Sequence, residues 1–267
     1  MIIKKLGDCR EELPVGLLAT KNGTTTNHRS FELGPLTGRV RIAMGAKELK
    51  DNPAARSTKL LSFVVRRIGD IERPGESLIR SLTSVDREHL LWLVDLRRAA
   101  VKSVEDSLPC ECGETTDVEL SLDDLLVNVL EDGDARVEGG ERLFDFTDPQ
   151  GRTLVARLVR GEDEERVAPF YVKNPDEADM RGLHAAIVSW EGEKLSWEKF
   201  LDLDVDSLEW ITSAMNSVDV GTTQRVRTAC WSCGRELVKT ISPFDFLETS
   251  SGKGIKVSPP YETRSSA

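Results

Sequence analysis

The apolar positions of this chain change period several times, and those changes divide it into blocks. Up to residue 43 the pattern is interrupted by turn signals, Leu13-Pro14, Asn22-Gly23 and Gly34-Pro35, within a stretch rich in Gly, Thr and Pro. This predicts short strands and loops, and residues 1–43 read as an extended arm lying on a neighbour. From residue 44 the period becomes helical. Leu60, Leu61, Val64, Val65 and Ile68 recur at helical spacing, with Gly69 as the stop. A second helix is expected over residues 85–100, with Ser84 as its cap, Asp86 near its positive end and Arg97 and Arg98 in its last turns. Leu90, Leu91, Trp92, Leu93, Val94 and Leu96 make it apolar on nearly every side. Such a helix belongs in a core or under a partner.

From Asp134 the period shortens to that of strands. Residues 143–147 and 153–159 flank the turn residues Asp148, Pro149, Gln150 and Gly151, the strongest hairpin signal in the chain. The acidic run 162–165 reads as a solvated loop. From 176 to 218 the pattern is helical again. Ser196 can cap one short helix there, and Asp206 with Glu209 resembles a capping box for the next. Beyond Ser250 no core-forming pattern remains. The expected class is α+β, with a helical N-terminal half and a β-containing central insertion joined by a split, zinc-ribbon-like four-cysteine site. Its blocks are the arm 1–43, a helical region 44–133 with the first cysteine pair, a β-rich insertion 134–175, a helical region 176–250 with the second pair, and a C-terminal tail 251–267.

Charge narrows the function classes. With 36 Lys and Arg against 46 Asp and Glu, the net charge is −10. No basic stripe is present to hold phosphates, which argues against a nucleic-acid partner. No apolar run approaches the roughly 20 residues of a membrane span. The start lacks the apolar core of a signal peptide, so the chain is expected to be made in the cytoplasm and kept there, or released by lysis. In a reducing compartment the five cysteines do not suggest a disulfide framework.

Four of them are arranged for something else. Cys110-Glu111-Cys112-Gly113 and Cys230-Trp231-Ser232-Cys233-Gly234 are two tight turns carrying two thiols each. Zinc takes four soft ligands at tetrahedral corners, and such a turn supplies two at once. The following glycines permit the backbone to fold back toward the sulfurs. β-favouring residues flank the pairs at 116–120, 226–228 and 237–241, as in the two hairpins of a zinc ribbon. Cys110, Cys112, Cys230 and Cys233 are therefore the candidate ligands of one structural zinc per chain. Cys112 and Cys230 lie 118 positions apart, whereas ordinary ribbons separate their pairs by roughly 15–20 residues. The segment between must return to where it left. Two other readings stay open: four unrelated buried thiols, or a redox pair at Cys230 and Cys233, although no βαβ context of the thioredoxin kind surrounds the latter. Cys9 has no partner nearby and reads as a spare thiol.

No catalytic constellation stands beside these cysteines. His28, His89 and His184 occur in unlike contexts, and no GxSxG, HExxH or Walker sequence is present; residues 38–47 lack the Gly-Lys-Ser/Thr ending. Asp202, Asp204 and Asp206 alternate like a calcium loop. Ser207 stands where that loop needs Gly, and Ser213 where it needs a bidentate Glu, so the three read as a helix-boundary cluster. The expectation is a protein that is not an enzyme and has no small-molecule substrate.

The order of the motifs resembles a known family. Leu36-Thr37-Gly38, Leu60-Leu61 and Ile68-Gly69 precede Leu82 and the run Asp86-Arg87-Glu88-His89-Leu90-Leu91-Trp92-Leu93, then Leu96-Arg97. The first cysteine pair follows, then Val118-Glu119-Leu120-Ser121-Leu122-Asp123-Asp124-Leu125. The second pair and an ending Ile241-Ser242-Pro243-Phe244-Asp245-Phe246-Leu247 come much later. This order, over roughly residues 31–250, resembles the zinc-binding baseplate hub proteins of T-even-like contractile-tailed phages and of phage-derived contractile injection systems. The first pair departs from it in being CxC instead of CxxC, and the N-terminal arm and C-terminal tail are additions. The resemblance implies a structural baseplate role, with the central hub, spike or wedge proteins as partners and a phage tail or injection particle as destination. Two alternatives are an assembly chaperone absent from the mature particle and a zinc-ribbon nucleic-acid-binding regulator.

Overall fold

The computed structural model describes residues 1–38, 40, 42, 52–98, 103–121, 125–223 and 225–240. The Phe244-Asp245-Phe246 ending and the tail 251–267 lie outside the described residues, as does most of 39–51. In chain order the elements are β1 (Ile2–Lys5), a 3-10 turn (Leu6–Cys9), β2 (Glu12–Lys21), β3 (Thr24–Leu33), α1 (Pro53–Val64), β4 (Val65–Ile68), β5 (Ile71–Glu72), α2 (Glu76–Ser81) and α3 (Ser84–Arg98). Then come β6 (Ser103–Pro109), β7 (Thr115–Ser121), β8 (Leu126–Val129), β9 (Arg136–Glu138), β10 (Glu141–Thr147), β11 (Thr153–Arg157), α4 (Gly161–Tyr171), α5 (Pro175–Ala186) and β12 (Ile187–Trp190). The last are α6 (Trp197–Leu201), α7 (Val205–Ser217), β13 (Gly221–Thr222), β14 (Arg225–Ala229) and β15 (Glu236–Thr240). The class is mixed α+β with antiparallel sheets, in the orders β2-β3-β4-β5, β1-β8-β13 and β12-β11-β10-β9, plus two separate hairpins.

The first thirty-odd residues are not an arm. β1 pairs with β8, Ile2 opposite Val129, and Leu6, Leu13, Val15 and Phe31 are buried. The turn signals there mark a 3-10 turn and a hairpin, and the apolar residues between them have a core to enter. α1 ends at Val64, short of the expected stop. Its β-branched neighbour Val65 starts β4, held between β3 and β5, so tertiary pairing overrides the helical period. Gly69 is instead the turn between β4 and β5, at φ +54°. A Cβ there would fall 2.0 Å from His28 Nδ1. Gly69→Ala is expected to destabilise the protein by about 1–3 kcal/mol, read as a lowered urea midpoint.

The buried helix is α3. Leu90, Leu91, Trp92, Leu93 and Val94 are all within the core. Its cap is Thr83, one residue before the expected Ser84: Asp86 N–H donates to Thr83 Oγ1 at 3.1 Å. His89 is also buried here, and its Nε2 donates to Cys9 O at 3.0 Å. Burial pulls its pKa from 6.5 down to about 4, with the Cys9 and Glu12 carbonyls opposing the shift. The native state therefore favours the neutral ring. The associated stability is fully present above pH 6.5 and is lost as pH falls through 4, about 3 kcal/mol in all. Urea midpoints measured from pH 7.5 down to 4 should fall accordingly, and less steeply in His89→Gln.

The hairpin of the insertion is β10–β11, with Phe146 opposite Leu154, and β12 extends its sheet within what the sequence presents as a helical block. The acidic run is the first turn of α4, not a loop. Asp163 is fully buried and receives a fork from Arg157 at 2.8 and 3.1 Å. Arg87, itself buried, reaches Glu164 at 2.5 Å, and Arg80 reaches Glu165 at 2.8 Å. Carboxylates at a helix N-terminus meet its positive dipole end, and here Asp163, Glu164 and Glu165 each also have a guanidinium. Ser196 caps α6 as expected, accepting from Lys199 N–H at 3.2 Å. α7 is capped by Asp204, not Asp206, through Ser207 N–H at 2.7 Å.

Candidate metal centre

The two cysteine turns are the tips of two hairpins. β6 and β7 pair from Ser103 opposite Ser121 to Pro109 opposite Thr115; β14 and β15 pair from Arg225 opposite Thr240 to Ala229 opposite Glu236. The sequence indicates three of these four strands; β6, with Glu105, Asp106 and Pro109, carries too few β-favouring residues to stand out and is set by its partner. The tips are built alike. Cys110 N–H donates to Glu114 O at 2.8 Å and Gly113 N–H to Cys110 O at 2.9 Å; Cys230 N–H donates to Arg235 O at 2.8 Å and Gly234 N–H to Cys230 O at 2.9 Å. Gly113 and Gly234 have φ of +90° and +71°, the left-handed region that a side chain resists.

This folding brings all four expected ligands together. The Sγ atoms of Cys110, Cys112, Cys230 and Cys233 lie within 4.8 Å of one another. The contacts across the hairpins are 3.6 Å for Cys110 to Cys233 and 3.7 Å for Cys112 to Cys230. A disulfide would need about 2.05 Å, so the thiols are free. Four sulfurs bound to one ion at about 2.3 Å sit roughly 3.8 Å apart at the corners of a tetrahedron, and the observed spacing fits that shape. Each of these contacts joins one sulfur of the CxC turn to one of the CxxC turn.

The chemistry of the donors agrees. The Cys230 thiol is pulled down to about 6, first by the backbone N–H of Cys233, then against burial by that of Ser232. At Cys112 the Glu114 N–H acts downward, but the neighbouring cysteine side chains and burial together push the thiol up to about 12. Four thiols this close cannot all ionise unaided, because each thiolate repels the next. A divalent cation at the centre would remove that conflict.

Among the described residues the site has little else to hold it. Leu108 and Leu237 are buried with Cys110 and Cys230, and Val118 packs against them. Trp231, 68% exposed, ties the hairpins by donating from Nε1 to Thr115 O at 3.0 Å, and Arg235 pairs with Glu111.

What returns the chain to this place is β8 and β13. They are neighbours in one sheet, Gly221 opposite Asn128 and Thr222 opposite Val127, with Thr223 N–H on Leu126 O at 2.7 Å. The chain leaves the first hairpin through β8 and comes back to the second through β13, side by side. No sequence signal marks the two-residue strand β13.

The histidines stay apart from the cysteines: His89 lies in the core and His184 packs edge-on against Trp197. Asp204 is used as a helix cap, and among the described residues the four cysteines are the one group of His, Cys, Asp or Glu placed to hold a metal ion. Cys9 is buried in the main core. Among the described residues no helix is long and apolar enough to cross a membrane. No family model, no curated protein and no solved structure matches this chain.

Proposed function

We propose that this chain is a zinc-stabilised structural component of the baseplate of a contractile phage tail or contractile injection system, in contact with hub, spike or wedge proteins. The observation that carries the reading is the closed set of four sulfurs drawn from two distant hairpins. Four thiolates leave a bound zinc no open position, so the ion stabilises structure and activates nothing. The order of motifs along the chain supports the baseplate assignment. So does a groove of about 500 Å³ between α1, α3, α4 and α5, lined by Ala54, Leu91, Val167, Ala168 and Tyr171. An apolar concavity of that size suits a part made to be packed against.

Elemental analysis of the purified chain should find about one zinc per molecule. Iron in its place would make the site an electron carrier and sink the structural reading. Mass spectrometry of purified particles tests the rest. The chain should be present in them, and a deletion strain should make no sheathed, contractile particle. A chain needed for building but missing from finished particles is an assembly chaperone instead. Binding to DNA that falls steeply with salt would point to a nucleic-acid regulator.

A further inference from the structure

A second, smaller cavity of about 170 Å³ lies where β2 meets the insertion, and it is lined by Arg142, Arg157 and Arg160 but by only one carboxylate, Glu141. Arg142 comes from the start of β10, Arg157 from the end of β11, and Arg160 from the residue just before α4. They face the part of β2 where its register against β3 shifts between Glu12 and Leu17.

Their partners leave a surplus of donors. Arg157 uses both Nη groups on Asp163 and the Leu158 carbonyl. Arg160 uses Nη1 on Glu141 at 3.0 Å. Arg142 donates from Nη1 to Gly16 O at 2.9 Å, and among the described residues it has no carboxylate within ion-pair reach. The nearest buried acid, Asp86, has both oxygens occupied by Val15 N–H, Gly16 N–H and Thr83 Oγ1. It supplies opposite charge behind the wall and no free acceptor to the cavity. Burial holds the Arg142 pKa below its usual value, with Asp86 opposing. A charged group kept partly from water and offered no anion of its own is a group with bonding capacity to spare.

We infer that this cavity is a binding site for a single tetrahedral oxyanion, a phosphate or sulfate group, held by Arg142 and Arg160 with Arg157 fixed behind them. Planar guanidinium forks match the oxygens of such groups, and charge-assisted bonds to them are among the strongest a protein makes. The volume equals about five or six waters, room for one such group and not for a nucleoside. The site shares no residue with the four cysteines and does not depend on the zinc or baseplate readings.

Titration calorimetry of inorganic phosphate into the full chain at low ionic strength tests it, beside titrations of sulfate and acetate and thermal melts in chloride of matched ionic strength. Saturable phosphate or sulfate binding is expected, weakened about tenfold or more by Arg142→Gln and less by Arg160→Gln. The amide introduced by Arg142→Gln can still donate to the Gly16 carbonyl, so the fold should persist; if that variant fails to fold, Arg160→Gln carries the test. Arg142→Lys should recover part of the affinity. The inference is overturned by the absence of saturable heat, by an equal response to chloride, or by unchanged affinity in both glutamine variants. Acetate binding as tightly as phosphate would replace the tetrahedral assignment with a carboxylate one.

Discussion

Cys233→Ser, or removal of metal from the wild-type chain by a chelator, is expected to unfold the hairpins β6–β7 and β14–β15 while the main core stays folded. Among the described residues the two hairpins pack Leu108, Leu237 and Val118 besides their buried sulfurs, too little apolar area to hold four strands in place. Structural zinc contributes an apparent stabilisation of roughly 10–16 kcal/mol in four-ligand sites, so losing a bound zinc would leave the packing among the described residues too small to offset the ordering entropy. The effect stops at the ribbon because the long excursion between the cysteine pairs is already closed by β8 pairing with β13. A metal held by the four cysteines would therefore close only the short connections beyond that sheet, and loop-closure entropy grows slowly with length in any case. Amide hydrogen exchange is the measurement. Protection should vanish in residues 103–121 and 225–240 and persist in α3 and β8. Loss of protection everywhere at once would mean that the ion clasps the two halves of the chain together. No loss at all would reduce the four cysteines to buried thiols.

Asp86→Ala should lower the stability of the main core by about 3 kcal/mol or more, seen in urea denaturation at neutral pH. The Asp86 carboxylate is fully buried, and burial raises its pKa even though Val15 N–H, Gly16 N–H and Thr83 Oγ1 all donate to it. Those two amides belong to the irregular part of β2 and have turned toward α3. Alanine would leave two buried N–H groups without an acceptor, at about 1–3 kcal/mol each. It would also remove one side of the Thr83 cap. Asp86→Asn keeps one acceptor oxygen and should cost roughly 1 kcal/mol. If Ala and Asn prove equally mild, the amides have another partner and the account of the β2 irregularity is wrong.

The sequence carries the elements whose signal is local. α3 follows from its apolar run, the β10–β11 hairpin from the turn Asp148-Pro149-Gln150-Gly151 between two β-favouring runs, and α6 from Ser196. It misses elements decided by what lies opposite them. Val65 and Ile68 continue a helical spacing, yet β3 offers them a strand partner. The run at 162–165 reads as solvated until Arg80, Arg87 and Arg157 are seen converging on it from three other elements. The residues 1–33 carry turn signals that suit a loose arm equally well, and it is β8, β4 and the packing of α3 that make strands of them. Thr83 and Asp204 each lie within two residues of the caps expected at Ser84 and Asp206. A cap is fixed by backbone geometry at one residue, which a spacing pattern does not resolve.

For the cysteine site, the sequence by itself determined the four donors and the tight turns that present them. Residue type and a glycine beside each pair act within a few residues of chain, where spacing is geometry. What only the tertiary structure decided is that the two pairs meet. Separations of more than a hundred positions carry no geometric information until something pairs across them. Here that is β8 and β13, one of them only two residues long and without a sequence signature, whose hydrogen bonds bring Cys110 to within 3.6 Å of Cys233.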